Sequence, residues 1–97
     1  MRRAAAVDAN QSILIAGFRR LGCTVQPLHM VGRGCPDALV GHKGRNYAVE
    51  IKDGEKVPSA RKLTPAEEEW HRDWRGHVCI AESLDDVARL VAEWGRT

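Results

Sequence analysis

Apolar and polar positions change period several times along the chain, and each change marks an element. From Asp8 to Leu21, Ile13, Leu14, Gly17, Phe18 and Leu21 fall at spacings that gather them on one side of a helix. Gly22 follows, as a glycine past a helix C-terminus commonly does, and Asp8 is placed to cap the other end. Gln11 sits at the edge of the apolar stripe; Ile15 falls off it and hints at a partner surface. Cys23 to Leu28 is short and β-prone and predicts a strand. His29 to Pro36, with Gly32 and Gly34, predicts an irregular loop. Ala38-Leu39-Val40 reads as a second strand and the polar run Gly41 to Asn46 as a hairpin turn. Tyr47 to Lys52 is a third strand. Its alternation puts Tyr47, Val49 and Ile51 on one face and Ala48, Glu50 and Lys52 on the other.

Beyond Lys52 the pattern turns polar. Asp53 to Lys62 predicts a mobile loop. Thr64 then caps a second helix, with Pro65 at its first position and Glu67 completing a capping box. Ala66, Trp70 and Trp74 recur every four residues and are expected to face the core; Gly76 ends the helix. Val78 to Ala81 predicts a last strand. Ser83 caps a third helix whose stripe is Leu84, Val87, Leu90, Val91 and Trp94, with Gly95 as its stop. The order αβββαβα describes an α/β fold in which helices flank a mixed sheet. The 97 residues suit a single domain spanning positions 1–97.

Composition narrows the class. A hydrophobic fraction of 43% with 29% charged residues belongs to a globular chain rather than a disordered one. The net charge of +2 does not announce a nucleic-acid binder by itself. Its distribution says more. Lys43 and Arg45 lie in the hairpin turn of the Asp37–Lys52 segment and Arg33, Lys56, Arg61 and Lys62 flank it, while acids gather in Glu67 to Glu69 and in Asp85-Asp86. Phosphates need such cations, so these six are the candidate DNA contacts. Cys23, Cys35 and Cys79 match neither a disulfide framework nor a zinc spacing. No hydrophobic region of signal-peptide type follows Met1 to Ala6, and no apolar run approaches the ~20 residues of a membrane span. A cytoplasmic protein is expected, with no membrane partner.

The candidate chemistry lies in Pro36-Asp37 and Glu50-Ile51-Lys52. Asp37 starts one strand of the expected hairpin and Glu50 ends the next, so pairing brings the two acids side by side. Lys52 shares the strand face of Glu50. Two carboxylates and an ammonium at one point suit a hard divalent cation and a phosphate. The carbonyl of Ile51 points toward the same edge as a further ligand. An isolated Glu-X-Lys is more often a surface ion pair, and Pro-Asp more often a turn. Their joint placement at the end of apolar strands favours the site, with Asp37, Glu50 and Lys52 as catalytic residues.

In these motifs and their order the chain resembles the PD-(D/E)XK nuclease superfamily, in particular small VRR-NUC domains and archaeal Holliday junction resolvases. Gly32 to Asp37 resembles the glycine-containing lead-in to their catalytic Asp, and Leu63 to Trp70 resembles the Leu-Ser/Thr-Pro-X-Gln segment after their Lys. The resemblance runs from Asp8 to Val91. It implies a restriction-endonuclease-like core and a Mg2+- or Mn2+-dependent DNA endonuclease acting on branched, Holliday junction-like DNA as a homodimer, in a bacterial host cell if phage-encoded. It implies Asp37 and Glu50 as metal ligands and Lys52 as the catalytic lysine. Two departures stand out. Gln11 occupies the place of a Glu on the first helix, so that Gln11 itself or Asp8, one turn earlier, serves as the further metal ligand or the second metal site is weaker; Glu67 replaces a Gln, where it either binds metal or, the favoured role, serves the capping box. A non-catalytic or weakly active DNA-binding module with the same fold is the alternative.

Overall fold

The computed structural model describes residues 9–96, which leaves Asp8, as cap or as ligand, outside the described residues. Helix α1 covers Ala9–Arg20. Its buried face is Gln11, Leu14, Ile15 and Phe18, at the i, i+3, i+4, i+7 spacing of a single stripe. This corrects the reading of the sequence in two ways. Ile15 is buried and Gln11 lies in the packed face, whereas Ile13 and Leu21 are exposed. At the edge of this stripe Gly17 faces α3: a Cβ there would come within 2.7 Å of Leu84. Gly17 thus lets the two helices close on each other.

Strands β1 (Thr24–Pro27), β2 (Ala38–His42), β3 (Arg45–Ile51) and β4 (Val78–Ala81) form one sheet in the order β1-β2-β3-β4. The first three are antiparallel neighbours; β4 runs parallel to β3. The β2–β3 turn is only Lys43-Gly44, both at positive φ (51° and 82°). That is the conformation in which a two-residue hairpin matches the strand twist. Every residue from Tyr47 to Ile51 is buried, as an inner strand covered on both faces requires.

Helix α3 (Leu84–Trp94) is capped by Ser83, whose hydroxyl accepts from Asp86 N, and it buries Val87, Leu90 and Trp94. Leu84 remains half exposed despite its place on the stripe. The Trp94 indole stacks with the ring of Tyr47 at 3.9 Å and with that of Phe18 at 5.8 Å. This aromatic stack joins α1, β3 and α3, and such pairs stabilise by about 0.5–1.5 kcal/mol beyond their buried area.

Helix α2 (Pro65–Asp73) departs most from expectation, because none of its residues is buried. Ala66 is exposed, Trp70 is half-buried and Trp74 is 48% exposed, so these three do not face the core. The helix is held through its first turn instead. Gly34 (φ +79°) lies so close to the Ala66 carbonyl that a Cβ would collide with it. The predicted capping box is present in both directions between Thr64 and Glu67. The segment before it, expected as a loop, contains a short 3-10 turn at Pro58–Arg61. Among the described residues no helix is long and apolar enough to cross a membrane.

Candidate active site

The β2–β3 register decides what meets at the end of the hairpin. Ala38 pairs with Val49, so one residue further Asp37 stands opposite Glu50, and Pro36 opposite Ile51. Directly opposed like charges destabilise a sheet, and a fold keeps such a pair only where something else requires it. The next strand, β4, pairs Glu50 with Ile80, which encloses Glu50 from the other side; it is 3% exposed.

Asp37 is oriented by the backbone. Its Oδ2 accepts from the N–H of Ile51 at 2.7 Å. In an extended strand a residue's N–H and C=O leave on the same side, so the Ile51 carbonyl also faces the Asp37 side. The partner due to it in the ladder is the N–H of Pro36, and proline has none. The Pro-Asp pair therefore does two things at once: the aspartate takes the Ile51 donor, and the proline leaves the Ile51 acceptor without its ladder partner.

Glu50 carries the electrostatic strain. Burial first, then the charge and hydrogen bonding of Asp37, push its carboxyl up to about 9. Its Oε1 is buried with no hydrogen-bond partner. Lys52 Nζ lies 3.7 Å from Glu50 Oε2 and only 2.8 Å from Glu67 Oε1. Burial works against the Lys52 ammonium, but Glu67, Glu50 and Asp37 outweigh it and raise its pKa. Glu67 is held below the ordinary carboxylate range: burial opposes this, while hydrogen bonds from Lys52 and from Thr64 N prevail. Asn10 on α1 donates to the Lys52 carbonyl at 2.7 Å and ties that helix to the site.

Two of these residues were not assigned by the sequence. Glu67 caps α2, as expected, and also grips Lys52; its place three residues after Thr64 revealed only the first role. Asn10 is a polar residue in an apolar helix, a signal that does not say what it binds. Cys35 also lies close, and its thiol is raised by burial and by Glu50 and Asp37. Gln11 is buried on α1 beside a cleft lined by Pro27 and His29.

The basic residues do not all gather here. Arg33 is exposed in the loop before Asp37, and Lys56 and Lys62 are exposed after Lys52. Arg61 pairs with Glu82 at 3.1 Å. Lys43 and Arg45 sit at the far end of the hairpin, and Arg45 lies five residues before Glu50 on the strand, about 17 Å by strand rise.

The donors present are hard oxygens. Among the described residues no cluster of three or more His, Cys, Asp or Glu is arranged to hold a metal. Magnesium does not require one, since it keeps several waters and binds through one or two carboxylates. The orphaned Glu50 oxygen, the opposed Asp37 and the Ile51 carbonyl fit such an ion.

Comparison with known proteins bears on the fold. No family model and no curated protein matches the chain. A solved structure described as a VRR_NUC domain matches with a TM-score of 0.65 and 29% identity, over 87% of this chain and 91% of that one. That domain is a nuclease domain, and the likeness is one of fold, which in this chain is a mixed sheet flanked by helices. The chain is VRR-NUC-like in fold, and PD-(D/E)XK is the general superfamily of VRR-NUC domains.

Proposed function

We propose that this protein is a metal-dependent endonuclease that hydrolyses DNA phosphodiester bonds. The observation that carries the proposal is the opposed pair of a half-buried Asp37 and a buried Glu50, with an orphaned oxygen on Glu50 and the Lys52 ammonium 3.7 Å away. Asp37, Glu50 and the Ile51 carbonyl would hold Mg2+ or Mn2+. When bound, that ion supplies a more acidic water and polarises the phosphate. Lys52, kept charged by Glu67, neutralises negative charge developing on the phosphate and orients the attacking water. Glu67 fixes where the ammonium sits. Arg33, Lys56 and Lys62 offer exposed charge to the neighbouring phosphates, and Lys43 and Arg45 to DNA farther along. Branched DNA as substrate and a homodimer with one site per strand belong to the same proposal and rest on the family resemblance.

Plasmid nicking tests it. The protein is expected to cut with Mg2+ or Mn2+ and not with EDTA, and Glu50→Ala or Lys52→Ala to lower the rate by at least about 100-fold. Cutting by both variants at the parent rate would refute the assignment. One observation favours a second reading, a DNA-binding module without activity: Gln11 lies in α1 where relatives resembling this chain carry an acid. Metal-independent DNA binding with no nicking in either cation would select it.

A further inference from the structure

We propose that the cleft formed by Trp70, Trp74 and Arg33 receives an unstacked nucleobase beside the scissile phosphate, so that the enzyme selects DNA with an unpaired or displaced base at the cut. The inference rests on the nuclease reading above and specifies its substrate.

The two indoles are stacked, with centroids 4.5 Å apart and planes 19° from parallel. They present aromatic surface to solvent: Trp74 is 48% exposed, and no residue of α2 is buried. With Arg33, Ala66, Glu69 and Asp73 they line an open cleft of about 480 Å³. Burying indoles is strongly favourable, so leaving this pair at the surface forgoes stability that a core position would have given.

The cleft is joined to the candidate active site by two short stretches of chain. Glu67, which grips Lys52, precedes Trp70 by three residues on α2, a spacing that makes the two neighbours on the helix surface. Arg33 precedes Asp37 by four residues in the same loop. That loop is unusual. Gly32, Arg33 and Gly34 all have positive φ (79°, 57° and 79°), and a non-glycine residue there is strained by about 1–2 kcal/mol. Strain of this kind persists where the surroundings impose it, and functional loops are where it collects.

The polar groups of the cleft choose the occupant. Glu69 and Asp73 repel a phosphate, so the DNA backbone is kept to the Arg33 side. A base edge carries both donors and acceptors, which the two carboxylates and the guanidinium complement, and its flat face stacks on indole without regard to sequence. A face for a second copy of the chain is expected to be depleted of charge at its centre, and this cleft has three charged side chains.

The test is binding in EDTA, where nothing is cut. Labelled duplexes are compared by fluorescence anisotropy, one fully paired and one with a single extra unpaired thymine. Stacking of one base predicts tighter binding to the bulged duplex by about 5- to 150-fold, with quenching of tryptophan fluorescence by that duplex alone. Trp74→Ala should abolish the preference and leave affinity for the paired duplex unchanged; Trp74→Phe should retain part of it. Equal affinity of the parent protein for both duplexes would overturn the proposal. So would a Trp74→Ala variant that keeps the preference but dissociates in sedimentation, since the patch would then join copies of the chain. Preference for the bulge without nicking in metal would sink the nuclease reading alone; nicking without preference would sink only the cleft.

Discussion

A buried carboxyl facing another carboxyl is a poor device for holding a fold together. Glu50 has a folded pKa of about 9 against 4.5 for an ordinary glutamate. Its contribution to stability is complete below pH 4.5, where it is protonated in both states, and is lost as the pH rises through about 9. Thermal melts in EDTA should therefore show stability falling over that range. Mn2+ should flatten the slope, because the cation takes the place of the proton. Glu50→Gln should remove the slope without metal and raise alkaline stability, on the order of 1–4 kcal/mol. A flat pH profile in EDTA would contradict the buried pair.

Glu67 is informative at the same scale because it serves two partners with one oxygen: Lys52 Nζ and Thr64 N, each at 2.8 Å. Glutamine at this position keeps the capping box but removes the charge that supports the Lys52 ammonium. Glu67→Gln should destabilise the fold only modestly, by about 1 kcal/mol, because the amide oxygen can still accept from Lys52 Nζ and Thr64 N. Its cleavage should fail at a lower pH than in the parent protein, because a lysine without that carboxylate loses its proton sooner. A pH–rate profile measures this; superimposable alkaline limbs would show that Glu67 serves the helix alone.

At the level of elements, the hairpin end depends on a single missing hydrogen-bond donor. Pro36→Ala supplies an N–H opposite the Ile51 carbonyl. It should preserve the fold by circular dichroism while weakening Mn2+ binding in calorimetry by roughly 10-fold, the loss of about one ligand interaction at 1.4 kcal/mol. Unchanged Mn2+ affinity would remove Ile51 from the site. The strands and this pairing were legible in the sequence because they rest on local signals: alternation in Tyr47 to Lys52 and the polar run from Gly41 to Asn46, within which the structure places the turn at Lys43-Gly44. The faces of α1 and α2 were less so. In α1 both Ile13 and Ile15 are apolar, and it is tertiary packing, which the helix's own sequence does not encode, that buries Ile15 and leaves Ile13 exposed. In α2 the four-residue recurrence of Ala66, Trp70 and Trp74 looks like a core stripe, yet the helix is docked by Gly34 and by the Lys52–Glu67 ion pair, and neither contact has a periodic signature.

Over the whole molecule, the two halves of the chain meet at one end of the sheet. The hairpin brings Asp37, Glu50 and the Ile51 carbonyl; α2 brings Glu67 to Lys52; α1 brings Asn10 to the Lys52 backbone. The aromatic stack of Phe18, Tyr47 and Trp94 fixes α1 and α3 to the sheet elsewhere, so the site residues are free to be chosen for chemistry rather than packing. This separation also explains why the juxtaposition of the two acids was legible in the sequence and the contacts around them were not: the acids follow strand register, and Glu67 and Asn10 arrive across long separations. The most direct test is anomalous diffraction from crystals soaked in Mn2+. The expected result is a peak enclosed by the Asp37 and Glu50 carboxylates and the Ile51 carbonyl. A map with no peak there, and Glu50 still hydrogen-bonded to Asp37, would contradict the metal site.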